Sequence, residues 1–258
     1  MSDTYLDRIL ERHRAAASLE TRSIEELLEE ARALPPTRGF RAALARGADL
    51  GVIAEIKRRS PSKGDLHVGL DPATLATRYE RGGASCLSVL TDEEFFGGSA
   101  ADLQAARGAC SLPVIRKDFT VSEYDVLDAR IMGADCVLLI AAALEPVELA
   151  AFHRLAVDVG LDVLVEIHDE RELDHALAAE ATLIGVNQRD LVTFEVDHER
   201  AIRMAGVIPD HAVKVAESGV RGSDDARSLR AAGYDAVLVG ETLVTSGDPS
   251  AAVADLIG

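Results

Sequence analysis

One phrase recurs along the chain and constrains its fold more than any other feature. A glycine is followed by one or two residues, often including Asp or Ser, and then by an apolar run. It reads Gly47-Ala-Asp-Leu-Gly-Val-Ile, Gly83-Ala-Ser-Cys-Leu-Ser-Val, Gly133-Ala-Asp-Cys-Val-Leu-Leu, Gly160-Leu-Asp-Val-Leu-Val and Gly233-Tyr-Asp-Ala-Val-Leu-Val. The physical content is a left-handed glycine closing a helix, then a tight loop into a buried strand. Three further apolar runs keep the rhythm: Pro113 to Arg116, Leu183 to Val186 and Ala212 to Ala216. A helical pattern follows each run. Several of these helices open on a cap or a first-turn proline, at Asp71-Pro72, Ser122, Glu145-Pro146, Ser223 and Asp248-Pro249. Val/Ile/Leu runs alternating with helices indicate parallel strands covered on both faces. Eight such units in about 210 residues favour an α/β fold closed as a (β/α)8 TIM barrel, with an open doubly wound sheet as the alternative.

The chain is read as one domain, residues 1–258, with a helical N-terminal extension over 1–50 and the barrel over 51–258. In the extension Tyr5, Leu6, Ile9 and Leu10 form an apolar stripe. Ser23-Ile-Glu-Glu26 is a capping-box pattern, Pro35-Pro36 ends that helix, and a short third helix spans Arg38 to Arg46 and stops at Gly47. Nothing in this extension looks catalytic; packing against the main fold is the expectation.

Polar residues in the apolar runs fall at their C-terminal ends: Glu55 and Lys57, Lys117, Glu166, Asn187, then Glu217 with Ser218. Side chains alternate across a strand, so Glu55 and Lys57 share a face with Ile53. Opposite charges at the end of a buried strand cost free energy unless they pair or line a wet mouth. In a parallel barrel these ends converge on the face where such folds keep their active sites. The opposite strand ends carry no matching set of Lys and Glu. Small residues follow the last two runs, in Glu217-Ser-Gly-Val220 and Val239-Gly-Glu-Thr242. They let backbone N–H groups approach an anion, and these two loops are the usual phosphate site of the architecture. Glu241 fits a phosphate only with its carboxylate turned away, while Thr242 offers a hydroxyl.

The formal net charge of −17 argues against nucleic acid and anionic membrane surfaces as partners. A phosphate site must then be built from local charges. No apolar run approaches the ~20 residues of a membrane span, and the opening residues lack the character of a secretory signal. The three cysteines, Cys86, Cys110 and Cys136, have neither CxxC nor metal-ligand spacing, as expected of reduced thiols in a cytoplasmic protein. Of the seven histidines only His168 lies near a strand end, and no HxH or HxxxH pair occurs. There is no nucleophile elbow for a Ser-His-Asp triad and no GxGxxG opening a helix after a strand. Neither a metal nor another cofactor is expected. What remains is acid–base chemistry by lysines and glutamates on a phosphorylated small molecule.

At this point the motifs resemble one family. Glu55-Ile-Lys-Arg-Arg-Ser-Pro-Ser62 is similar to the signature of the indole-3-glycerol-phosphate synthases. Further similar segments follow in order: Thr91-Asp-Glu-Glu-Phe-Phe-Gly-Gly-Ser99, Arg116-Lys-Asp-Phe119, Leu164-Val-Glu-Ile-His168, Gly185-Val-Asn-Gln-Arg-Asp-Leu191 and Ala216-Glu-Ser-Gly219. The resemblance covers essentially the whole chain. It implies closure of the ring of 1-(2-carboxyphenylamino)-1-deoxyribulose 5-phosphate, with loss of carbon dioxide and water, in tryptophan biosynthesis and without a cofactor.

The resemblance also implies roles. Lys117 is the general acid, and Lys57 holds the benzoate carboxylate or donates the proton for dehydration, an order left open. Glu166 stabilises and deprotonates a cationic intermediate, while Glu55, Asn187 and Glu217 orient sugar hydroxyls and lysines; Glu217 is alternatively an electrostatic tuner. Ser218, Gly219, Gly240 and Glu241 receive the phosphate, with Ser60 nearby and Arg189 adding positive charge. Phe96, Phe119, Leu138 and Leu191 form an apolar wall for the anthranilate ring, with ordinary core packing as their alternative. Three carboxylates, Glu55, Glu166 and Glu217, then face three cations, Lys57, Lys117 and Arg189, in a neutral mouth. The expected assembly is a monomer or weak homodimer. A Schiff-base aldolase, a phosphoribosylanthranilate isomerase and a non-catalytic sugar-phosphate binder are the rival functions.

Overall fold

Runs such as Val52-Ile-Ala-Glu-Ile56 have no face to give to solvent, so each strand needs cover on both sides. In the computed structural model, which describes residues 4–45, 49–61, 63–190 and 194–258, the cover is a closed barrel wrapped in helices. Its strands are β1 (Gly51–Ile56), β2 (Cys86–Leu90), β3 (Val114–Lys117), β4 (Cys136–Ile140), β5 (Asp162–Ile167), β6 (Leu183–Asn187), β7 (Val213–Glu217) and β8 (Ala236–Val239). Neighbours pair in parallel, and β8 returns to β1 from Gly51↔Ala236 to Ala54↔Val239. Closure rules out the open sheet.

Three helices precede the barrel: α1 (Tyr5–Ser18), α2 (Ile24–Ala33) and α3 (Phe40–Leu44). Around it run α4 (Pro72–Arg81), α5 (Glu93–Phe96), α6 (Ala100–Ala109), α7 (Glu123–Ile131), α8 (Pro146–Asp158), α9 (Glu170–Ala178), α10 (His198–Ala205), α11 (Ser223–Ala231), α12 (Glu241–Val244) and α13 (Pro249–Ile257). The recurring glycines do what the sequence predicts. Gly83, Gly133, Gly160 and Gly233 have φ of 94°, 99°, 82° and 102°, in the left-handed region, ahead of β2, β4, β5 and β8. Gly47 lies outside the described residues. The loop after β1 contains a small hairpin, Arg59–Ser60 against Gly64–Asp65.

Several local expectations need correction. Strands β3, β6 and β7 extend one residue further than their apolar runs, because Lys117, Asn187 and Glu217 still hold ladder positions facing the interior. The third helix is shorter than 38–46. Ser223 is the first helical residue of α11, with Gly222 in the cap position. Ser23 caps α2 through the Glu26 N–H, whereas the reciprocal box forms at α1 between Thr4 and Asp7.

Alternation along the strands sorts the core into two layers. Val52, Ala54, Leu87 and Val89 point outward under the helices, while Ile53, Cys86, Ile115 and Leu164 fill the barrel. Phe40 and Leu44 of α3 join that inner set, so the extension plugs the barrel floor. The floor does carry acids. Asp135, Asp162 and Asp235 accept from the backbone N–H groups of Arg38, Arg41 and Lys214 at 2.7–2.8 Å, and they fasten loops and extension to the strands.

Phe40 has no solvent exposure, so Phe40→Ala is expected to cost about 3–5 kcal/mol of stability. Calorimetry should show a lowered Tm while KM stays near the parent value, since the mouth is at the other end. A change below about 1 kcal/mol would contradict the plug.

Candidate active site

The inward positions at the C-terminal strand ends surround a cavity of about 770 Å³. Lys117, at the end of β3, is its centre. Its Nζ lies 3.4 Å from Glu166 Oε2 on β5 and 3.8 Å from Glu217 Oε2 on β7. Lys57, just past β1, is ion-paired with Glu55 two residues earlier. Asn187 on β6 donates from Nδ2 to Glu166 Oε1 at 3.0 Å, and its Oδ1 accepts from the Arg189 N–H at 3.0 Å. All six proposed catalytic residues therefore line one cavity.

Burial sets the electrostatics. Desolvation alone lowers the pKa of an ammonium, yet the charges of Glu166, Glu217 and Glu55 outweigh it and hold Lys117 above its ordinary value. Desolvation raises Glu55, and the neighbouring Lys57 and Lys117 reverse the shift and keep it low. Glu166 behaves alike: burial opposes ionisation, but Lys117 and then His168 favour it. Glu217 is the exception. Burial and the adjacent Glu166 charge push its carboxyl up to about 8 despite Lys117. Its Oε1 is buried without a hydrogen-bond partner among the described residues. The formal balance of three acids and three cations is thus corrected. Below about pH 8 only Glu55 and Glu166 of those three acids are ionised, against the same three cations.

The substrate-binding candidates gather at the same cavity, with one omission. Ser60, Ser218, Gly219, Gly240 and Glu241 line it. Ser218 and Gly219 have φ of 64° and 75°, and the Ser218 carbonyl is held by Gln188 Nε2 at 2.7 Å. The Glu241 carboxylate turns toward Lys63, 3.6 Å away, and the Thr242 hydroxyl donates to the Val220 carbonyl at 3.0 Å. Arg189 lines the cavity and donates to Phe194 O at 3.0 Å. Phe96 and Phe119 lie with ring centroids 6.3 Å apart, and Leu138 comes up between strands from the inner core. Leu191 lies outside the described residues.

Two glycines make room for the carboxylates. A Cβ at Gly185 would fall on Glu217 Oε1, and one at Gly240 would fall on Glu55 Oε1.

The structure also brings in residues that the sequence did not single out. Ser88 on β2 donates to Glu55 Oε2 at 3.3 Å; His168, noted in the sequence as the one histidine near a strand end, lies with Nε2 3.8 Å from Glu166 Oε1. The extension was not expected to matter here, yet Tyr5, Leu6 and Ile9 of α1 form one wall. Tyr5 packs edge-on against Phe95 and Phe194, both at 5.8 Å between centroids. An apolar stripe announces that a helix face is buried but not what it covers.

Among the described residues the grouping nearest to a metal-ligand geometry is His13, Asp92 and Asp118. Its donors are already engaged: Asp92 caps α5, and Asp118 takes Arg116 Nη2 at 3.0 Å. It is an ion-pair cluster, and we assign it no metal.

Comparison with known proteins agrees with this geometry. The family model described as indole-3-glycerol phosphate synthase matches residues 6–256. Indole-3-glycerol phosphate synthase 2 of Streptomyces coelicolor is 54% identical over 237 residues, covering 92% of each chain. The indole-3-glycerol phosphate synthase of Mycobacterium avium is 52% identical over 256 residues, 98% of this chain and 94% of that protein. A solved thiamine phosphate pyrophosphorylase from Pyrococcus furiosus superposes with a TM-score of 0.61 at 15% identity. It spans 80% of this chain and 93% of its own, a likeness of fold alone.

The raised Glu217 carboxyl has a thermodynamic signature. The folded protein keeps a proton that the unfolded chain releases near 4.5. Its stabilising contribution is therefore full below that pH and lost as pH rises to about 8. Glu217→Gln, with no proton to lose, should gain stability relative to the parent between about pH 5 and 8 and then level off. Calorimetric Tm differences measured across this range test it; a difference independent of pH would contradict the assignment.

Proposed function

The chain belongs to the indole-3-glycerol phosphate synthase family, and from that premise we propose how its mouth does the chemistry. The enzyme is a carboxy-lyase of tryptophan biosynthesis. It closes the ring of 1-(2-carboxyphenylamino)-1-deoxyribulose 5-phosphate, with loss of carbon dioxide and water, to give indole-3-glycerol phosphate. The observation that carries the residue assignment is the Lys117 ammonium between the carboxylates of Glu166 and Glu217.

Attack of the carboxylate-bearing aryl carbon on the sugar ketone forms the carbon–carbon bond and puts negative charge on the ketone oxygen. Lys117 protonates that oxygen as it develops, the task of a positioned general acid. The ring system becomes cationic, and Glu166 stabilises it. Glu166 is also what holds the proton on Lys117. A substrate cation that satisfies Glu166 therefore makes Lys117 the stronger acid at the step that needs it. Decarboxylation returns electrons to the ring. Lys57 protonates the departing hydroxyl, and Glu166 takes the proton from the adjacent carbon to complete the indole.

Glu55 orients Lys57, with Ser88 behind it, and Asn187 orients Glu166. Phe96, Phe119 and Leu138 pack on the anthranilate ring, where weak solvation of the carboxylate favours its loss. Ser218, Gly219, Gly240 and Glu241 receive the phosphate through backbone N–H groups and the serine hydroxyl, with Ser60 and Arg189 at the rim. Lys57 and Arg189, both lining the cavity, offer positive charge to a substrate with a carboxylate and a phosphate. A Schiff-base route requires a neutral amine, which the charge held on Lys117 disfavours. Residues 1–258 act as one domain, a cytoplasmic monomer or weak homodimer; among the described residues no helix is long and apolar enough to cross a membrane.

Indole fluorescence should appear when purified protein meets the carboxyphenylamino-deoxyribulose phosphate in chelator without added cofactor. Lys117→Ala and Glu166→Gln are each expected to lower kcat at least ~100-fold in protein that circular dichroism shows to be folded. No turnover by folded parent protein would overturn the reading, and a Lys117→Ala loss of only a few-fold would overturn the role of that lysine.

A further inference from the structure

The first helix carries, beside the mouth, a histidine that the ring-closing chemistry leaves unused. His13 of α1 lies with Nε2 3.0 Å from Asp92 Oδ2 and 3.8 Å from Asp118 Oδ1. Its ring sits 5.5 Å from that of Phe119. The His13 side chain is 17% exposed and the two aspartates 6% and 5%, so water screens the contact poorly.

The two acids are neutralised unequally. Asp118 is bonded by Arg116 Nη2 at 3.0 Å and by the Thr91 hydroxyl, and Arg116 also faces Asp125 at 3.9 Å. Among the described residues Asp92 is bonded only by His13 and by the N–H groups of Phe95 and Phe96. On the exposed side Arg12 and Glu94 pair with each other at 3.1 Å, with Glu93 beside them. A charged imidazole is therefore the side-chain cation set against Asp92.

The same two acids hold the apolar wall. Asp92 Oδ1 accepts from the Phe96 N–H at 3.2 Å, and Asp118 Oδ1 accepts from the Phe119 N–H at 2.8 Å. One side chain of α1 thus touches both segments that carry the wall, while Tyr5, Leu6 and Ile9 of the same helix line the cavity.

Resting on the ring-closing reading of the site, we propose that protonated His13 is a positioning residue. Its ion pair with Asp92, backed by Asp118, holds α1 across the mouth and seats Phe96 and Phe119 for the aromatic half of the substrate. Burial lowers the pKa of the imidazole, but the Asp92 bond and the charges of Asp118, Asp92 and Asp125 outweigh it and set it above 6.5. The contribution to docking is full below 6.5 and is lost as pH rises through the raised value. Substrate affinity then depends on pH through a group that takes no part in the proton transfers.

The test is KM and kcat for the carboxyphenylamino-deoxyribulose phosphate across neutral to alkaline pH in the parent, His13→Gln, His13→Lys and Asp92→Asn. The parent KM should rise at least about fivefold as His13 loses its proton, the low end of ordinary coupling between two sites. His13→Gln should sit at the parent's alkaline KM throughout, and His13→Lys, a lasting cation, should keep the low KM into alkaline solution. Turnover at saturation should stay within about twofold for both His13 variants. Titration of the substrate phosphate and of Glu217, which is raised to about 8, is common to every variant and drops out of the ratio to the parent at each pH.

Parent and His13→Gln profiles that superimpose, or an effect on kcat in place of KM, would overturn the proposal while leaving the ring-closing reading intact. No turnover by the parent would overturn both. An imidazole NMR titration of His13 reads the pair without activity: its midpoint should fall in Asp92→Asn, and an unchanged midpoint would overturn the proposal.

Discussion

The Lys117 ammonium is the charge that the other strand ends are arranged around. Burying an ammonium costs several kcal/mol, and one opposite charge at 4 Å returns about 4 kcal/mol at an effective dielectric near 20. A single carboxylate would leave Lys117 near balance. Glu166 and Glu55, both held ionised, tip it firmly to the charged form, with Glu217 in contact. In return Lys57 and Lys117 keep Glu55 ionised and Lys117 keeps Glu166 ionised, but not a third acid, so Glu217 retains its proton. Breaking any one of these contacts changes the protonation of the rest.

Only a closed barrel assembles that set. Lys117, Glu166, Asn187 and Glu217 come from four strands, and each faces inward, at the last ladder position of its strand or, for Glu166, the one before it. Ile115, Leu164 and Val215 lie beneath them as a dry base, and Phe40 and Leu44 close the far end. The approach is tight enough that a Cβ at Gly185 or Gly240 would displace the Glu217 or Glu55 carboxylate from its present position. The N-terminal helices serve both ends of the barrel, with α3 as floor and α1 as a wall of the mouth.

Much of this was legible in the sequence, for a physical reason. A charged residue ending a Val/Ile/Leu run violates the pattern around it, so Glu55, Lys57, Lys117, Glu166 and Glu217 announce themselves. The eightfold alternation of apolar runs and helices, five of the runs led by glycine, then says where those ends meet. Ser88 was not legible, because a small hydroxyl inside a strand breaks no pattern. His13, Tyr5 and Leu6 were hidden for another reason: helical periodicity marks a buried face without naming its partner. The protonation of Glu217 was also out of reach, since it depends on distances to Glu166 and Lys117 that no spacing along the chain encodes.

The central claim is that Lys117 enters the reaction as a charged acid whose proton is held chiefly by Glu166. Carbon NMR of protein labelled at the lysine ε-carbon, titrated through the alkaline range in the parent and in Glu166→Gln, measures this directly. The expected result is a Lys117 signal that stays charged in the parent after exposed lysines have titrated, near pH 10.4, and that titrates earlier once Glu166 is neutral. A Lys117 signal that titrates with or before the exposed lysines in the parent, or that ignores the Glu166 substitution, would contradict it.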